Sequence, residues 1–174
     1  MSIKEIITVP DPILKKISSP IEKISINEKK LIKDLKDTMY NANGIGLAAI
    51  QIGIPKRIVI VDVTKEDEKK NLHCLINPKI KKFSDDRSSY EEGCLSIPNT
   101  FIQIERPREI EIEYIDEYGK KKIMQCSGLL STCIQHEVQH CDCILIIDYL
   151  SKLKKDLIIK KISKEVSNNN KIIV

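Results

Sequence analysis

Residues 128–140 read GLLSTCIQHEVQH and carry two histidines four positions apart. Ser127 precedes them as a typical N-cap, so the segment predicts a helix. Residues four apart lie on the same helical face, which lets His136 and His140 direct ring nitrogens at one divalent ion. Glu137 lies about 100° round the helix, where its carboxylate can reach a water molecule at that ion. The HExxH pattern therefore predicts a metal site on a helix; the alternative is a histidine pair that is solvated or satisfied in the core.

The segments on either side of this helix predict the fold. Ser25 and Glu28 have capping-box spacing, and apolar residues follow them at steps of three and four until Gly44, which predicts an amphipathic helix. Beyond it the apolar period falls towards two, and strands are predicted at 57–63, 74–80 and 109–116. Ser151 begins a further helix with a lysine-rich, solvated face. The order predicts an α+β fold, with one catalytic domain over 1–174 and a frayed tail at about 166–174.

Composition excludes several classes of protein. The 174 residues are 41% hydrophobic and 31% charged, unlike disordered or collagen-like chains. The net charge is +4, but the signs are interleaved, so we expect no direct nucleic-acid partner. We find no run of about 18 apolar residues and no signal-like segment near the N-terminus, and we expect a cytoplasmic protein without membrane association. Six irregularly spaced cysteines favour thiol or metal chemistry over a disulfide framework.

A hydrolytic metal usually has three protein ligands and an open fourth position, so one more ligand is needed. The long zincin motif HExxHxxGxxH is absent, because the sequence continues from His140 as HCDCILI and no further histidine follows. Asp148 would complete the site of a short-type metalloendopeptidase.

The cysteines offer further candidate ligands. In EEGCLSIP, Gly93 permits close approach of the backbone and Pro98 ends regular pairing, so a stiff loop would present Cys94. From the residues alone Cys94 ranks only slightly above Cys141 and Cys143. Either of the latter two could close the fourth position and make a metal-binding module without catalytic activity.

A third segment, GIGLAAIQIG at 44–53, is rich in small residues. It lacks the GK[ST] of a nucleotide loop, and close backbone approach to a ligand is the better interpretation. Gln51 would then be a donor to a developing oxyanion. The alternative is a tight turn into a strand, with Gln51 exposed.

Together, GIGLAAIQ at 44–51, EGCLS at 92–96 and QHEVQH at 135–140 resemble the three ordered motifs of peptide deformylases. The similarity extends from VPDPILKK near the N-terminus to IDYLSKL near residue 150. The resemblance implies mixed strands packed around a central helix that bears HExxH. It also implies removal of the formyl group from the N-terminal formylmethionine of new polypeptides.

The resemblance implies a role for individual residues. The metal ligands would be Cys94, His136 and His140, and the general acid and base would be Glu137. The amide of Gln51 and the backbone N–H of Leu95 would hold the formyl oxygen. Substrate would be bound by the main chain of Gly46 and by a methionine pocket that includes Ile45, Leu129 and Cys133.

The same resemblance implies one divalent ion per chain, natively Fe²⁺. A ligand set with a thiolate also admits Zn²⁺, Ni²⁺ or Co²⁺. The expected partners are formylated N-termini of nascent polypeptides near the ribosome, and we expect a monomer.

The chain departs from the family pattern at three positions. Gln139 stands where the family usually has Asp, and we expect the loss of that charge to loosen the metal. Cys143 replaces a usual Gly at the end of the predicted helix. Phe101 replaces an Arg common in many members, so we expect different contacts with the later residues of the substrate. None of the three is a predicted ligand or base, and we expect an active enzyme.

Overall fold

The computed structural model of the chain describes residues 3–65 and 67–169. Within these residues the α-helices are α1 (Ile26–Asn41), α2 (Gly128–Cys141) and α3 (Lys152–Asn169). The strands are β1 (Gly46–Ala48), β2 (Ile58–Val61), β3 (His73–Phe83), β4 (Arg87–Cys94), β5 (Ile97–Pro107), β6 (Glu109–Ile115) and β7 (Lys121–Ser127). The predicted α+β class is confirmed.

The first helix begins where its sequence predicts. Ser25 accepts a hydrogen bond from the first turn, and Glu28 reaches back to the Ser25 backbone N–H at 2.9 Å, so both halves of the capping box form. Leu35 and Met39 are fully buried on its inner face. The predicted amphipathic helix is confirmed.

The strands form a five-stranded sheet in the order β1-β2-β3-β6-β7 and a separate β4–β5 hairpin, and the pairings between these strands are antiparallel. The run IVIV of β2 is buried throughout because the sheet is covered on both faces. Ile58 and Ile60 pack with α1, whereas Val59 and Val61 pack with α2. The three predicted strands correspond to β2, β3 and β6.

The β4–β5 hairpin differs from the sequence prediction. The interpretation of EEGCLSIP as a stiff loop, with regular pairing ended by Pro98, is wrong, because β5 begins at Ile97 and includes this proline. Gly93 pairs with Phe101, and the register then shifts so that Cys94 pairs with Ile97. Cys94 is therefore the last residue of a strand, and two residues of turn follow it.

Helix α2 is central. It is buried on nearly every side and contacts β1, β2 and the later strands. It ends at Cys141, and the Ile144 N–H donates to the Gln139 carbonyl at 2.9 Å. Cys143 adopts the left-handed conformation, φ 58°, that glycine normally supplies at this position. The helix thus ends normally without the usual glycine.

Helix α3 packs against β5 through Ile162, which shares a buried cluster with Ile102 and Ile104. The helix runs to Asn169, and residues 170–174 of the predicted frayed tail lie outside the described residues. In the part of the chain that the structure describes, no helix is both long and apolar enough to cross a bilayer.

Candidate metal centre

Three side chains converge where the end of β4 meets α2. One ligand atom from each of Cys94, His136 and His140 lies within 4.8 Å of the other two, and all three residues are buried. Cys94 Sγ lies 3.2 Å from His140 Nε2, and the two imidazole rings meet edge to face with centroids 5.0 Å apart. One thiol and two imidazoles are the donor set of an open tetrahedral site for a transition metal. The residues present therefore fit one such ion.

Glu92 orients the first of these histidines. Its Oε2 lies 2.9 Å from His136 Nδ1, so a proton on Nδ1 leaves the Nε2 lone pair for an ion. The Arg106 guanidinium donates to both Glu92 oxygens, at 2.5 and 2.8 Å. Burial opposes ionisation of Glu92, but the hydrogen bonds from Arg106 and His136 outweigh it and lower its pKa. A buried, ionised carboxylate thus stands behind the site.

Gln139 and Tyr149 complete this arrangement. Gln139 Oε1 accepts a hydrogen bond from Arg106 at 2.9 Å, and Gln139 Nε2 donates to the Tyr149 hydroxyl at 2.6 Å. The amide therefore occupies the side of the guanidinium that Glu92 does not cover. Gln139 contacts the guanidinium as an acceptor, and it brings no charge.

Glu137 is buried at the floor of the cavity. Its Oε2 has no hydrogen-bond partner in the described part of the chain, and burial raises its pKa to about 7. A Cβ at position 46 would overlap Glu137 Oε1 and lie 2.8 Å from Cys133 Sγ. Only glycine fits there, so the main chain of Gly46 borders the carboxylate directly. A carboxyl group with a pKa near neutrality can both accept and return a proton.

Gln51 is fixed by contacts at both ends of its amide. Its Oε1 accepts the Ala48 N–H at 2.8 Å, and its Nε2 donates to Ser96 Oγ at 3.2 Å. Nε2 also lies 3.8 Å from Cys94 Sγ. Gln51 is only 1% exposed, so the alternative of an exposed glutamine in a turn is wrong.

A cavity of about 470 Å³ opens beside these groups. Its lining includes Gln51, Cys94, Leu95, His136 and Glu137, and also the predicted substrate-binding residues Ile45, Gly46, Leu129 and Cys133. Ile45 and Leu129 are partly exposed at its mouth, whereas Cys133 is buried. His140 is not among the lining residues, and its Nε2 lies 3.2 Å from Sγ of the lining residue Cys94.

The rival ligands lie elsewhere. Cys141 is not in the ligand cluster found among the described residues, and burial raises the pKa of its thiol to about 12. Cys143 lies in a left-handed turn after the end of α2, and among the residues that the structure describes it too lies outside that cluster. Asp148 accepts hydrogen bonds from the amines of Lys15 and Lys155 and from a backbone N–H. Its carboxylate is thus already occupied.

Sequence reasoning missed the roles of Glu92, Arg106 and Ser96. Ser96 and Glu92 flank Cys94 within EGCLS, but nothing in their spacing shows what they contact. Arg106 is one of only four arginines, and it lies two and four residues after the buried Ile104 and Ile102 of β5, on the same inward face. A charged residue in the inward phase of an alternating strand was an available signal for a buried ion pair.

The sequence is similar to those of known proteins. Residues 3–156 match the family described as polypeptide deformylase. A curated peptide deformylase from Pelagibacter ubique is 54% identical over 97% of this chain and 98% of its own length. The chain belongs to the polypeptide deformylase family. It is therefore an enzyme, a hydrolase that removes the formyl group from new polypeptides.

Solved structures of deformylases share this architecture. A peptide deformylase from Ehrlichia chaffeensis in complex with actinonin superposes with a TM-score of 0.90 at 40% identity, covering 95% of this chain and 98% of that one. A Met-Ala-Ser-bound deformylase from Acinetobacter baumannii gives 0.81 at 31% identity, covering 86% and 100%. The expectation of a deformylase fold around a central helix is confirmed.

Proposed function

We propose that Cys94, His136 and His140 hold one Fe²⁺ ion, and that this centre deformylates the N-terminal formylmethionine of nascent chains. The observation that carries the proposal is the convergence of the three ligand atoms beside a buried carboxylate with a raised pKa. Zn²⁺, Ni²⁺ and Co²⁺ suit the same ligands and would substitute.

When bound, such an ion supplies Lewis-acid chemistry and lowers the pKa of a coordinated water from 15.7 to about 7. Glu137 accepts the proton of the attacking water and later returns it to the leaving amine. Because Glu137 is buried, the proton it holds is not readily lost to bulk solvent.

The Gln51 amide and the Leu95 N–H donate to the formyl oxygen as it becomes negative. Gln51 is already immobilised by Ala48 and Ser96, so it costs little to orient during the reaction. Loss of one such donor costs about 3 kcal/mol of transition-state stabilisation in other enzymes.

The cavity accommodates a methionine side chain between Ile45, Leu129 and Cys133, while the Gly46 main chain contacts the peptide backbone. The Met-Ala-Ser found in the Acinetobacter relative has the sequence of a deformylated N-terminus. It supports a substrate that begins with methionine and continues as a peptide.

Further proposals concern the setting of the reaction. The enzyme works as a monomer with one catalytic domain. It works in the cytoplasm near the ribosome, because its substrates arise there. Its six cysteines are all free, as suits a reducing compartment.

The test is formate release from formyl-Met-Ala by iron-loaded protein purified without oxygen. We expect turnover of this peptide and none of acetyl-Met-Ala, and the isosteric Glu137→Gln protein serves as the inactive control. Cleavage of internal bonds in unformylated peptides without formate release would instead identify a metalloendopeptidase.

A further inference from the structure

The main chain at Ile45 and Gly46 enters the site at the edge of the five-stranded sheet. β1 is the edge strand and has three residues, beginning at Gly46. One residue earlier, the Ile45 carbonyl accepts the backbone N–H of Asp62 at 2.9 Å and the thiol of Cys133 at 3.5 Å. Because a Cβ at position 46 would overlap Glu137 Oε1, this main chain already lies against the carboxylate and has no room to move towards it. The placement of Asp62 therefore matters for the site.

Asp62 is itself fixed through a buried carboxylate. The residue directly follows β2 and is 3% exposed. Its Oδ2 accepts the hydroxyl of Tyr40 at 2.5 Å, and its Oδ1 accepts the hydroxyl and the backbone N–H of Thr64 at 2.6 and 3.1 Å. Burial opposes ionisation of Asp62, but the hydrogen bonds from Thr64 and Tyr40 outweigh it and lower its pKa. Each oxygen of an ionised carboxylate thus has a hydroxyl donor.

Tyr40 connects this carboxylate to the helix that leads into the site. It lies in the last turn of α1, and the chain then turns through residues 42–45 into β1. The Tyr40–Asp62 hydrogen bond joins the beginning of this turn to the end of β2. The hydrogen bond from Asp62 to Ile45 joins the end of β2 to the end of the turn. The turn is therefore closed from both sides through Asp62.

We propose that Tyr40 and Asp62 are positioning residues that fix the main chain of Ile45 and Gly46 for contact with the peptide backbone of the substrate. Neither Tyr40 nor Asp62 is among the residues that line the cavity, so the pair acts through the Ile45 carbonyl. The inference rests on the proposed function, in which the Gly46 main chain contacts the substrate. Such a contact exists in the ground state as well as in the transition state, so its weakening raises KM and leaves kcat nearly unchanged.

The experiment measures formate release from formyl-Met-Ala-Ser by iron-loaded wild type, Tyr40→Phe, Asp62→Ala and the double variant. Tyr40→Phe keeps the ring and removes the hydroxyl donor of Asp62 Oδ2. Since a misplacement of about 1 Å can cost about 100-fold, we expect the smaller relaxation in Tyr40→Phe to raise KM by about fivefold, with kcat within about twofold of wild type. The double variant should have the KM of Asp62→Ala, because two residues that act as a unit are not additive. Tyr40→Phe alone is sufficient for the test if Asp62→Ala does not fold.

Thr38→Val is the matched control. Thr38 lies two residues before Tyr40 on α1 and is 1% exposed. Its hydroxyl donates to the Asp34 carbonyl at 2.6 Å and accepts the Lys4 backbone N–H at 2.9 Å. The substitution therefore removes buried hydrogen bonds of the same helix without changing a partner of Asp62. It should lower the melting temperature while KM stays within about twofold of wild type.

Failure of the inference is distinguishable from failure of the proposed function. Wild-type protein that releases no formate would contradict the function itself. With an active wild type, an unchanged KM in Tyr40→Phe, or a fall in its kcat at unchanged KM, would overturn the inference alone. Additive increases of KM in the double variant, or an equal increase in Thr38→Val, would also overturn it, because the effect would then not pass specifically through the Tyr40–Asp62 pair.

Discussion

Replacing Arg106 with methionine should destabilise the protein far more than a comparable change at the surface. The Arg106 and Glu92 side chains are 3% and 5% exposed, and two parallel hydrogen bonds join them. Methionine retains most of the volume of the arginine but leaves the Glu92 carboxylate buried without its cation. The perturbation therefore isolates the loss of the charge partner.

The magnitude follows from the burial of both groups. Removing one member of a buried ion pair typically costs about 3 to 5 kcal/mol, because the remaining charge is left uncompensated. For a chain of this size each kcal/mol lowers the melting temperature by about 2 to 4 °C. We therefore expect Arg106→Met to lower the free energy of unfolding by at least about 3 kcal/mol and the melting temperature by at least about 6 °C.

The assay is urea denaturation of wild-type and variant protein, both metal-free. Arg87→Met is the matched control, because Arg87 pairs with Glu105 across the same hairpin at 2.8 Å while the two side chains are 51% and 63% exposed. An exposed pair contributes no more than about 1 kcal/mol. Equal losses in the two variants, or a loss below about 1 kcal/mol in Arg106→Met, would refute the view that this buried pair supports the site.

Other predictions concern the reaction and the first helix. Glu137→Gln should retain the metal but lose at least about 100-fold in kcat, and a loss within about tenfold would contradict its role in proton transfer. Gln51→Leu should lower kcat more than it raises KM, since its donor acts on the charged oxygen; a pure KM effect would make it a binding residue. The hydrogen bonds from Lys56 and Ser25 lower the pKa of Glu28 to about 2, so its stabilisation exists above the unfolded pKa, near 4.3, and is lost as pH falls towards 2. The free energy of unfolding of Glu28→Gln should therefore be lower than that of wild type at pH 6, and the two values should converge near pH 2.

Local signals in the sequence predicted the elements whose residues interact locally. The capping box of Ser25 and Glu28 determines where α1 begins, and the alternation of 109–116 identifies β6, because both depend on neighbours a few positions apart. The β4–β5 hairpin was missed because Pro98 and Gly93 disfavour strands locally. Pairing across the hairpin overrides that preference.

The candidate site was less accessible to such reasoning. The HExxH spacing identified His136 and His140, but the choice of Cys94 over Cys141 required resemblance to a family. Glu92, the partner of His136, lies 44 residues before it in sequence. Arg106, the cation that pairs with Glu92, lies 14 residues after Glu92. Contacts of that range depend on how β4 and β5 pack against α2, which no local pattern encodes.

The most direct test of the central claim is the spectrum and metal content of cobalt-loaded protein with Cys94→Ala beside Cys141→Ala. Wild type and Cys141→Ala should each hold one equivalent of Co²⁺ and show the charge-transfer absorption of a single thiolate ligand. Cys94→Ala should lose this absorption and most of the metal. Retention of metal and absorption in Cys94→Ala, with their loss in Cys141→Ala, would contradict the proposed ligand set.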